Sequence, residues 1–167
     1  MLLVLSALIV HGLLGGIDVV LNHELSERLP QRLSAWQEQA LHSAREALFA
    51  LLFLGLAWLQ WHGAWAWVIV ALIAAELAVT LRDSVVEDRT RQLPVFERLL
   101  HAVLFINLGV YSTLLAPQLW TWLHEPAALV STNYGWPSYV LTLLGLLAIG
   151  WCLRDAVSYR RLRQVAV

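Results

Sequence analysis

Two stretches of the chain, Glu-Gln-Ala-Leu-His at residues 38–42 and Glu-Arg-Leu-Leu-His at residues 97–101, each set a carboxylate and an imidazole four residues apart. On a helix, positions i and i+4 share a face, so Glu38 with His42 and Glu97 with His101 each direct an oxygen and a nitrogen donor toward one point. Mixed donors of this kind suit iron, manganese or zinc. The same groups also suit a salt-bridge network, because Arg28, Arg45, Arg91 and Arg98 lie close by in the sequence. Both chemistries stay open at this point. The convergence of acids favours metal: Glu24, Glu38, Glu46, Glu87 and Glu97 would repel one another in a partly desolvated site unless cations or protons relieved them.

The two stretches belong to a longer internal repeat. "DVVLNHELSERLP", Asp18 to Pro30, precedes the first, and "DSVVEDRTRQLP", Asp83 to Pro94, precedes the second; one gap aligns the aspartates and the Leu-Pro pairs. Upstream, His11, Gly15, Asp18 and Asn22 recur at the same spacing as Glu76, Thr80, Asp83 and Glu87, and that spacing puts each set on one helical face. The preceding helices end with His23 and Glu24 in one copy and with Glu87 and Asp88 in the other, so a further donor can reach in from each.

Acid, Glu/His pair, acid, Glu/His pair is an order that resembles the ferritin-like di-iron and di-manganese carboxylate proteins, in which two helices of a four-helix bundle each give a Glu and two give a Glu-x-x-His pair. The resemblance implies two divalent ions, with Glu24 and Glu87 as the lone acids and Glu38, His42, Glu97 and His101 as the paired ligands. His23 and Glu46 are further possible ligands. The pairs here are one residue longer than the family's, Glu-x-x-x-His. The expected activity is that of a membrane oxidoreductase acting on a lipid-soluble substrate, with Asp18 and Asp83 orienting ligands and His11 and Glu76 delivering protons. Alternatives are haem between His42 and His101, ion or metal conduction along the polar seam, and a structural subunit held by salt bridges.

The elements that must position these residues are membrane spans. Of 167 residues, 59% are hydrophobic and 14% charged, with mean hydropathy +0.65. Apolar runs at about 2–21, 40–61, 65–81, 99–115 and 139–153 approach or fall within the roughly 17–25 residues a spanning helix needs. The expectation is an all-α integral membrane protein, residues 1–167 forming a single membrane domain. Repeat halves at about 11–61 and 76–115 would give two pseudo-symmetric helical hairpins, spans one plus two and three plus four, closing a four-helix bundle with a fifth helix beside it. Residues 1–21 lack a basic start and an Ala-x-Ala-like cleavage site, so they count as the first span.

All eleven basic residues are arginines, and all fall on one side of this arrangement. The positive-inside rule makes that side cytoplasmic, with the N-terminus outside and the C-terminus inside, as in a bacterial inner membrane. Trp58, Trp61, Trp65, Trp67, Trp120, Trp122 and Trp136 would form the belt at the opposite interface. Residues 117–137 are expected there as a loop, with "LWTWLHEP" a short helix lying in the interface. His11 and Glu76 stand well inside their spans, where ionisable residues mark a path or a site. Gly12, Gly15 and Gly16 let a neighbouring helix come close. Membrane lipids are the expected surroundings, with a redox partner and self-association both open. The lone Cys152 excludes an internal disulfide. No phosphate-binding loop, nucleophile elbow or cysteine cluster occurs, and nucleic-acid binding has no support, in agreement with the net charge of −1.

Overall fold

The computed structural model describes residues 1–166 and is 86% helical. Five helices among them are long and apolar enough to cross a membrane. α1 (Leu2–Asp18) runs on without a break into a π-helical segment, Val19–Ser26. Two short 3-10 turns then lead to α2 (Trp36–Trp58). α3 (Ala66–Thr90), α4 (Val95–Leu123) and α5 (Trp136–Ala166) complete the set.

Each helix buries a stripe with the periodicity its sequence carries. α1 buries Val4, Leu8, His11 and Asp18; α3 buries Ile69, Glu76 and Asp83; α4 buries Glu97, Leu108, Tyr111, Leu115 and Trp122. The apolar core occupies the end of the bundle where Leu5, Leu8, Leu52, Leu56, Ile69, Tyr111 and Leu115 meet, and the buried acids and histidines lie at the other end. All five helices continue past the apolar runs. α3 extends nine residues beyond Leu81 to Thr90, and α4 starts at Val95 rather than 99. The ionisable residues therefore sit on rigid helix, not on loops.

Helix pairing differs from successive hairpins. α1 packs on α4 and α2 packs on α3, whereas α1 barely meets α2 and α3 touches α4 only briefly. Exchange of the repeat halves turns the α1–α4 pair into the α3–α2 pair, so the pseudo-symmetry persists in crossed form. α5 is not peripheral: it has the longest interface of any helix, along α2, and also packs on α1. Gly145 makes this close approach possible, since a Cβ there would stand 2.9 Å from Leu54 Cγ.

The tryptophan-rich end also departs from expectation. α4 continues through Pro117 to Leu123, so "LWTWL" is its last turns and not a separate interfacial helix. A two-stranded antiparallel sheet closes this end. β1 (Leu59–His62) pairs with β2 (Ala128–Ser131), Leu59 opposite Ser131 and His62 opposite Ala128. Gly63 turns the chain out of β1 at φ +59°, where a Cβ would lie 2.6 Å from Ala127 Cα, so only glycine fits. Several polar groups at this end find partners. Ser138 Oγ donates to the Ala57 carbonyl at 2.7 Å, Trp58 Nε1 to Thr142 Oγ1 at 2.7 Å, and Trp61 Nε1 to the Gly55 carbonyl at 3.2 Å.

Candidate metal centre

At the arginine-rich end the crossed pairing of helices brings the repeated residues together in crossed pairs. Asp18 of α1 meets His101 of α4, Oδ2 to Nε2 at 3.0 Å; its counterpart Asp83 of α3 meets His42 of α2, Oδ2 to Nε2 at 3.1 Å. The repeat thus builds one Asp–His contact twice. Asp18 gives an atom to the cluster itself, against the expectation that it lies behind it, while Asp83 stands against His42 and Arg45.

The π-helical segment sets the third donor. A π-turn takes more residues than an α-turn, and the extra residue in the first copy's Asp-to-Pro interval falls within this stretch. The face below Asp18 then carries both Asn22 and His23. Asn22 Nδ2 donates to Asp18 Oδ1 at 2.7 Å, and His23 Nε2 stands 3.5 Å from both Asp18 Oδ2 and Glu97 Oε1. The His23 ring stacks on that of His42 with centroids 4.4 Å apart and an interplanar angle of 8°. Glu24 is turned outward instead, half-buried and ion-paired with Arg154 of α5. The first lone donor is therefore His23, and Glu24 lies outside the cluster.

Two overlapping sets of donor atoms result. Asp18, His23, Glu97 and His101 each present one atom such that all lie within 4.8 Å of one another, and so do His23, His42 and Glu87. Glu87 Oε2 also lies 3.5 Å from His101 Nδ1. His23 Nε2, both nitrogens of His42 and Asp83 Oδ1 have no hydrogen-bond partner among the described residues; the His42–Asp83 approach is too poorly directed to count as one. Buried imidazoles ordinarily find partners; His42 Nδ1 has none, and His23 Nε2 and His42 Nε2 face only carboxylate oxygens, an arrangement open to a shared cation.

Two arginines hold the surrounding acids. Arg91 is buried and links three helices: Nε and Nη2 donate to Glu38 Oε1 at 3.0 and 2.7 Å, Nη1 and Nη2 donate to Glu97 Oε2 and Oε1 at 2.9 and 2.6 Å, and Nη2 reaches Glu87 Oε1 at 3.4 Å. Burial works against its charge, but the hydrogen bonds to Glu97 and Glu38 outweigh it and hold the guanidinium far above its ordinary pKa. Arg45 Nη1 donates to Asp83 Oδ2 at 3.1 Å. Glu38 is thereby committed to Arg91 and gives no atom to either donor set, while Glu97 is shared between Arg91 and His23. Of the expected ligands, the fold gathers His42, Glu87, Glu97, His101 and His23, keeps Glu38 behind an arginine, and places Glu46 on the wall of an adjoining cavity. His11 and Glu76 line the same cavity one tier deeper in the bundle.

Comparison of the chain with protein-family models, with curated proteins and with solved structures returns no match.

Proposed function

We propose that the chain is a membrane-embedded di-metal protein of the carboxylate–histidine type, an oxidoreductase acting on a lipid-soluble substrate. Asp18, His23, Glu97 and His101 would hold one ion, and His42, Glu87 and Asp83, with His23 between the sets, the other. The observation that carries this reading is the group of buried, unpartnered imidazole nitrogens facing carboxylate oxygens. Charge supports it. Arg45 and Arg91 stand against Asp18, Glu38, Asp83, Glu87 and Glu97, which leaves negative charge for cations to neutralise at a site removed from water. Iron, manganese and zinc all accept this donor set; bound iron or manganese would supply redox chemistry there, and the chain's own residues would fix ligand direction through Asn22, Arg45 and Arg91.

The reading includes placement in a membrane such as the bacterial inner membrane, arginine-rich end toward the cytoplasm and N-terminus outside. A structural reading has a specific observation in its favour, since Arg91 alone ties Glu38, Glu87 and Glu97 together. Haem is less well supported: a Glu87 oxygen lies within 4.8 Å of His42 and Glu87 Oε2 lies 3.5 Å from His101, where a porphyrin would need an apolar slot. Elemental analysis with a visible spectrum on gently purified, detergent-solubilised protein separates these. About two transition-metal ions per chain without a Soret band supports the proposal; a Soret band with one iron replaces it with haem, and no metal after reconstitution replaces it with the salt-bridged structure.

A further inference from the structure

A cavity of about 260 Å³ opens from the acid–histidine cluster into the middle of the bundle, between all five helices. Asp18, Asp83, Glu87 and His101 line its mouth, and His11 and Glu76 its inner tier. Seven residues separate Asp18 from His11 and Asp83 from Glu76, so the tiers lie roughly 10 Å apart along the helices. Between them the walls are apolar and aromatic, with Phe49, Phe53, Phe105 and Trp151. Gly15 and Gly16 of α1 form part of the wall, and a Cβ at either would meet nothing within 4 Å among the described residues.

The inner tier is incomplete as it stands. Thr80 Oγ1 donates to Glu76 Oε1 at 2.9 Å, but Glu76 Oε2 and His11 Nδ1 have no partner among the described residues, although both side chains are more than nine-tenths buried. The His11 ring rests on Phe49, centroids 4.8 Å apart, and meets Tyr111 edge-on at 5.5 Å. A plain alkyl chain in this cavity would leave both polar atoms unsatisfied in hydrocarbon. A flat ring with an oxygen on each of two opposite edges satisfies them, stacks on the aromatic walls and presents its second oxygen to the tier at the mouth.

We propose that this cavity is a binding site for the head group of a membrane quinone or quinol, with one ring oxygen hydrogen-bonded by His11 and Glu76. That the bound molecule is the substrate rests on the di-metal reading; that it binds does not. The test is retention of decylubiquinone by the immobilised, detergent-solubilised full chain, with metal content measured on the same samples. Saturable retention of about one molecule per chain is expected. Gly15→Phe, whose ring enters the cavity, and the pair His11→Leu with Glu76→Leu should each weaken it at least tenfold, whereas Gly15→Ala, whose methyl group has room, should not. Non-saturable retention, retention unchanged in Gly15→Phe, or full displacement by equimolar palmitate would overturn the proposal, the last making the cavity an acyl-chain site. Retention by protein that never takes up metal would retire the di-metal reading and leave the quinone site standing; metal without retention would do the reverse.

Discussion

The two copies of the repeat share a plan and differ at two places, and those two differences make the site. Both copies provide an aspartate, a Glu-x-x-x-His helix and a polar residue one turn below the aspartate. The first copy has one more residue between aspartate and proline, takes it up as a π-turn, and so turns His23 inward; at the matching place in the α-helical second copy, Asp88 is exposed. Only the second copy has an arginine able to reach both halves, Arg91, which binds Glu38 from one and Glu97 from the other. Symmetry supplies paired donors, and its local breaking decides which of them stay free and which are neutralised.

The largest effect is expected from removing the bridge that only one copy has. Arg91→Leu leaves Glu38, Glu87 and Glu97 buried without their shared counter-charge, and loss of one partner from a buried ionic set costs about 3–5 kcal/mol. Thermal unfolding in detergent should fall accordingly, and the loss should be smaller in Arg91→Lys, which keeps charge but not the fork. An Arg91→Leu protein as stable as the parent would show that metal or protons, not Arg91, neutralise the acids.

Next comes the residue that the extra turn brings in. His23→Ala should lower metal affinity by at least the 10–100-fold that loss of a supporting group causes, with unchanged helicity by circular dichroism, while Asp88→Ala should leave metal content as it was. Deleting Val20 sharpens the same contrast: it brings the first copy to the length of the second, should convert the π-turn to α-helix, and should keep metal, because the imidazole then stands four residues after Asp18, on the same face. Metal content in His23→Ala equal to that of the other two variants would detach His23 from the site.

Much of this was legible in the chain, for physical reasons. Five long apolar helices follow from apolar run length, and much of the cluster follows from the repeat, because His42, Glu97 and His101 converge whichever way the helices pair. Hydropathy underestimates the helix ends because it registers only the apolar stretch, whereas helix continues through Glu87 and Glu97, both paired with Arg91. Helix partners were not legible, since hairpin order and crossed order bury the same faces. The sequence places Asp18 and Asp83 behind the ligands, and crossed pairing sets each against the other half's histidine; their strict equivalence in the repeat is the available signal. The one-residue gap likewise marked the π-turn, but an insertion reads equally well as a longer loop. At the other end, the β1–β2 pairing gave no signal, as Leu59–His62 and Ala128–Ser131 are short and carry no clear alternation.

A further contrast tests how equal the two Asp–His contacts are. Asp18→Asn and Asp83→Asn each remove the charge facing a histidine, but Asp83 also accepts from Arg45, and Asn22 donates to Asp18. Asp83→Asn leaves a guanidinium short of its partner and should cost more, by about 1–3 kcal/mol, since hydrogen bonds to charged groups are the stronger ones. Equal losses on thermal unfolding would mean that Arg45 turns to Glu46 or solvent at no cost.

The smallest effect is expected at Glu24, and it is informative because it is small. Glu24 adjoins His23 in the chain, and on helical order alone either could be the first copy's ligand. Its side chain is nearly a third exposed and pairs with Arg154, itself a third exposed. Pairs open to solvent contribute about 0–1 kcal/mol. Glu24→Gln should therefore shift unfolding slightly and leave metal content and decylubiquinone retention unchanged, in contrast to His23→Ala one residue away. If Glu24→Gln instead empties the site, Glu24 turns inward when metal binds and gives up the Arg154 pairing seen here.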